Sequence, residues 1–84
     1  MTRRNTASQS MIEDFAELKK QGITEFWCMT DTGSKTLSPV IKKTAQGVSS
    51  YANSMYRKYG DSVAVEVYYF DSEFNCITYC TYGA

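Results

Sequence analysis

The chain has no histidine, one proline, one tryptophan and no excess of charge: nine basic residues stand against nine acidic ones in 84 positions. Histidine is the side chain that most often serves as general base near neutral pH, so Ser-His-Asp and Cys-His mechanisms are excluded. Catalysis would have to rest on carboxylates, lysine, tyrosine or a metal, and the expectation is a protein that is not an enzyme. No run of 18 apolar residues occurs, so no membrane span is expected. The basic start Met1-Thr-Arg-Arg lacks a following apolar segment and does not read as a secretory signal. Disorder is excluded too, because 43 % of the residues are hydrophobic and the net charge is zero. The remaining class is a small soluble domain, expected in the cytoplasm.

Three cysteines, Cys28, Cys76 and Cys80, make an odd set, which favours a reducing compartment over a disulfide scaffold. In one strand Cys76 and Cys80 would lie roughly 13 Å apart, beyond the ~7 Å reach of a disulfide. No C-x-x-C pair is present, so neither a metal nor a cofactor is expected and the thiols read as small hydrophobes.

Hydrophobic periodicity gives the elements. Ser10-Met-Ile-Glu13 fits a capping box, and Met11, Ile12, Phe15 and Leu18 follow at helical spacing up to Gly22. Residues 1–9 are expected to be flexible, with one domain over 10–84. Ile23–Thr30 reads as a strand and Asp31-Thr-Gly-Ser34 as a turn, with a short strand at Lys35–Leu37 an open option. Ser38-Pro39 predicts the start of a long helix over 38–60, with Val40, Ile41, Ala45, Val48, Ala52, Met55 and Tyr59 as its apolar stripe. Ser62–Phe70 and Cys76–Tyr82 form a hairpin around Asp71–Asn75. Its loop length decides whether Ile77 and Tyr79, or Cys76, Thr78 and Cys80, lie beside the valines, and the pattern leaves that open. The order α-β-α-β-β predicts an α+β domain: helices packed on a small three-stranded sheet that ends in a C-terminal hairpin.

Asp31-Thr-Gly-Ser34 resembles the catalytic loop of aspartic proteases over four residues only, and a helix soon after it contradicts that all-β fold. Gly33-Ser-Lys-Thr36 resembles the tail of a phosphate-binding loop, but the earlier glycine of that motif falls at Cys28. Both read as turn chemistry.

Zero net charge conceals segregation. Residues 34–60 carry Lys35, Lys42, Lys43, Arg57 and Lys58 with no acid, while 61–84 carry Asp61, Glu66, Asp71 and Glu73 with no base. Lys35, Lys42, Lys43, Asn53, Arg57 and Lys58 are therefore the candidate residues for an RNA or single-stranded nucleic-acid interface on the basic helix. The hairpin is overloaded with rings. Tyr68, Phe70, Phe74 and Tyr82, with Asp71 and Glu73 in the turn, are the candidate protein-binding residues, since two helices need not cover both faces of a small sheet. The main expectation is a non-catalytic accessory regulator or inhibitor, in the style of phage and mobile-element accessory proteins. It would act by contact with a protein partner or with a second copy as a homodimer, and nucleic-acid binding is the alternative.

Overall fold

The computed structural model describes residues 7–83. Its order is α1 (Gln9–Lys20), β1 (Phe26–Asp31), β2 (Val40–Lys42), α2 (Ala45–Tyr59), β3 (Ala64–Phe70) and β4 (Cys76–Gly83). The α+β class and the expected order hold, with one added element: the sheet has four strands, ordered β2-β1-β3-β4, and every neighbouring pair is antiparallel.

The added strand corrects the start of the long helix. Val40 and Ile41 are β-branched residues whose spacing fits either period. They pair with Cys28 and Trp27 on the open edge of β1 rather than opening a helix. The helix begins instead at Ala45, with Thr44 as N-cap and its hydroxyl accepting from the Gly47 amide at 2.9 Å. Gly47 thus occupies the third helical position, where the cap uses its N–H, and not the helix interior. At the other end Gly60 stops the helix as the sequence indicates, with its N–H on the Tyr56 carbonyl.

The first helix also starts earlier than the capping box suggests. Ser8, not Ser10, is the N-cap and accepts from the Met11 amide. Of the segment expected to be flexible, residues 1–6 lie outside the described residues. Ala7 is buried and its N–H reaches Gln46 Oε1 at 3.2 Å, so the α1 entry is tied to α2. The helix closes in a Schellman turn: Gly22 takes a positive φ of 89° and the Ile23 amide reaches back to the Leu18 carbonyl.

Both helices lie on one face of the sheet. On that side β1 contributes Phe26, Cys28 and Thr30, and β3 contributes Val65 and Val67, all essentially sealed from solvent. Phe15 of α1 stacks on Phe26 with ring centroids 3.8 Å apart. The Tyr51 hydroxyl of α2 meets Thr30 Oγ1 at 2.7 Å, so the buried threonine keeps a partner. The hairpin register combines the two options the sequence leaves open. A five-residue loop, 71–75, sets Ile77 opposite Tyr69. A bulge between Val67 and Tyr68 then makes Tyr79 an extra residue and moves Cys80 and Tyr82 opposite Val67 and Val65. Tyr79 packs edge-on against Phe15 and donates its hydroxyl to the Asp14 carboxylate at 2.7 Å.

Burial on the helix side governs the thiols. Desolvation pushes Cys28 up to about 11, against a smaller lowering influence from Lys42. Cys80 is half-buried and also raised, whereas Cys76 is exposed. In native protein at pH 8, Cys76 should react first with a thiol-specific disulfide reagent and Cys28 only on unfolding. Because the folded pKa of Cys28 lies above its ordinary value, its contribution to stability is full below pH 9 and lost as the pH rises through about 11. The denaturation midpoint should fall over that range. Equal rates for the three thiols, or a midpoint flat to pH 11, would contradict this packing.

Candidate functional site

Among the described residues, no element covers the face opposite the helices. Across it, Ile41, Trp27, Tyr68 and Thr78 form one transverse row, each the direct cross-strand partner of the next. Phe70 lies one pleat along β3, next to Tyr68. The three rings form a closed cluster: Trp27 stacks on Tyr68 at 6.3 Å and 18°, and Phe70 meets both edge-on at 5.8 Å. Phe70 is 40 % exposed and Ile41 41 %, while Trp27, Met29 and Tyr68 are half-buried. The rings hold each other in place yet leave their outer surfaces to solvent.

Polar groups border this patch, and the charged ones among them are acidic. Glu66 Oε2 accepts from Thr78 Oγ1 beside the row, Glu25 lines a small hollow with Trp27 and Phe70, and Asp71 and Glu73 stand in the adjoining turn. The Tyr68 phenol is raised above its ordinary value, first by desolvation and then by Cys76 and Glu66. It is therefore neutral and a hydrogen-bond donor at physiological pH.

The structure brings together only some of the candidate residues. Tyr68 and Phe70 share the outer face. Phe74 sits at the tip of the hairpin, 86 % exposed and with a positive φ of 63°, next to that face. Asp71 builds the turn: its carboxylate accepts from the Glu73 and Asn75 amides and from Asn75 Nδ2. Those bonds, the Asn75 amide first, hold its pKa below the ordinary carboxylate value. Tyr82 is on the other side of the sheet, its hydroxyl 3.5 Å from the Met11 sulfur and burial pushing it up to about 12. The bulge at Tyr79 puts it there, and alternation alone could not show this. Trp27, Ile41 and Met29 were not among the sequence candidates. The signal for Trp27 was available, since it alternates with buried Phe26 and Cys28.

The basic candidates do not form one helical stripe. Lys42 lies in β2 with its ammonium 5.7 Å above the Tyr51 ring, and Lys43 precedes the α2 cap. Arg57 and Lys58 occupy the last turn of α2, about 20 Å further along its axis at 1.5 Å per residue. Arg57 reaches Ser54 Oγ, and Lys58 lies over the Tyr59 ring. Asn53 is buried and donates to the Ser49 carbonyl, and Lys35 is exposed in the β1–β2 connection. That connection is a turn held by Asp31 Oδ1 on the Gly33 amide and by the Asp31–Thr36 bridge.

Among the described residues, no group of three or more His, Cys, Asp or Glu side chains could hold a metal ion, and no helix is long and apolar enough to cross a membrane. Compared with protein-family models, curated proteins and solved structures, the chain matches none.

Proposed function

We propose that this protein is a non-catalytic binding module that docks a protein partner on the outer face of its sheet, as a regulator or inhibitor that occludes the partner's surface. The observation that carries the reading is the uncovered row Ile41–Trp27–Tyr68 with Phe70 packed beside it. Tryptophan and tyrosine are enriched where binding energy concentrates, and a polar rim around such a cluster excludes water from it. Four strands about 4.8 Å apart and a β3 rising about 3.3 Å per residue give a plane of roughly 400 Å². A stable interface takes about 800 Å² of accessible surface from each partner, so contact should extend onto the turn and Phe74. The acidic rim suits a partner whose apolar centre is bordered by lysine or arginine. Three unpaired thiols, one of them exposed, fit a reducing compartment such as the cytoplasm.

A second copy is the self-binding form of the same proposal. The nucleic-acid alternative draws less support, because its basic groups are split between the two ends of α2.

The test is affinity capture and light scattering with the wild type and with Tyr68→Ala plus Phe70→Ala, the fold of each checked by circular dichroism. Proteins retained by the wild type, or a wild-type dimer, should be lost from the double variant while the variant still melts cooperatively. Equal retention by both proteins sinks the proposal. Nucleic acid that co-purifies, leaves at high salt and depends on Lys42 and Arg57 would replace it with the alternative.

A further inference from the structure

A second concave surface lies on the helix side, away from the outer face. Helix α1 turns two stripes to the protein. Met11 and Phe15 enter the core with Leu18 packed against it, while Ile12, Ala16 and Lys19 line a groove that ends against the start of α2. Ile12 is 45 % exposed and lines this groove. Phe15, Ile23, Phe26 and Ala45, all buried, form the floor. The open groove has a volume of about 560 Å³, within the range of small-molecule sites. Among the described residues, its only charged lining residues are two cations, Lys19 from the last turn of α1 and Lys43 from the segment before Thr44. The N-terminal end of α2 adds positive potential of the same sign.

We propose that this groove binds a small amphipathic anion: an aliphatic body along Ile12 and the apolar floor, with a carboxylate paired to Lys19 or Lys43. Two lysines line an apolar hollow whose described walls hold no acid, and such a ligand supplies both a counter-charge and an apolar cover. The chain's own N-terminal segment does not have that chemistry, since Arg3 and Arg4 carry the same sign as the groove. The groove holds none of the rings of the outer cluster, although Ile23 and Thr24 also line the hollow beside Trp27 and Phe70.

The test is an NMR titration of amide shifts with decanoate, decanol and acetate. Decanoate should saturate, with its largest shifts at Ile12, Ala16, Thr24 and Ala45, and bind at least about fivefold more tightly than decanol. Acetate, which has the head without the body, should produce no saturable shift. Lys19→Gln plus Lys43→Gln should erase the preference for decanoate over decanol. Ala16→Glu, at an exposed helical position that tolerates it, should weaken decanoate about tenfold with the fold intact. Non-saturating shifts, shifts centred on Trp27 and Tyr68, or equal affinity for decanoate and decanol would overturn the proposal. None of these results alters the outer-face reading, which the capture experiment tests separately.

Discussion

Replacing Phe26 with alanine should cost the fold about 3–5 kcal/mol, the usual range for truncating a sealed aromatic ring. Phe26 is 1 % exposed, and rings from three other elements converge on it. Phe15 of α1 stacks at 3.8 Å, Tyr69 of β3 meets it edge-on at 5.6 Å, and Tyr79 of β4 at 6.3 Å. Removing the ring forfeits its transfer from water and leaves a hole under α1 that only a shift of the helix could fill. For a domain of this size each kcal/mol moves the melting temperature by about 4–8 °C, so Phe26→Ala should melt at least about 12 °C lower. Ile41→Ala is the control. It removes a smaller apolar side chain from the exposed outer face and should cost less than about 1 kcal/mol. The comparison is made by thermal and urea denaturation of both variants. A Phe26→Ala loss no larger than that of Ile41→Ala would mean that α1 is not clamped to the sheet through this ring.

The sheet shows what the sequence made legible and what it did not. Alternation in Val63–Phe70 correctly separates the two faces of β3, because a half-buried strand has only one way to place its apolar side. Glycines 22 and 60 correctly mark both helix ends. Two features were not legible. Val40-Ile-Lys42 suits a strand or a helix, and a vacant edge on β1, visible only once the sheet is assembled, decides between them. The Tyr79 bulge has no local signature, and it alone moves Tyr82 from the aromatic face to the helix side. The outer patch was therefore partly legible: Tyr68 and Phe70 follow from alternation on β3, whereas Ile41 belongs to a strand that the sequence reads as helix. The basic stripe drawn on residues 38–60 depended on that helix and divides once Lys42 and Lys43 leave it.

Trp27→Ala should weaken partner binding by about 30-fold or more while leaving a cooperative fold, since a buried interface anchor is worth 2 kcal/mol or more and 1.4 kcal/mol is a factor of ten. Trp27 touches both Tyr68 and Phe70, so its loss removes contact area and also the ring that keeps the other two in place. Truncation effects within the cluster should accordingly be non-additive: Trp27→Ala combined with Tyr68→Ala should cost less than the sum of the two single losses. Trp27 is also the only tryptophan in the chain, so indole emission reports on this face alone. On titration with a partner the emission should shift to the blue and acrylamide quenching should fall, as the half-exposed indole loses water. If the partner is a second copy, the same changes should appear on raising the protein concentration, in step with dimer formation by light scattering. A bound partner that leaves both the emission and the quenching of Trp27 unchanged would place the interface elsewhere, with the open edge of β4 the next surface to test, since Cys76–Gly83 carries no charged side chain and no proline to guard it.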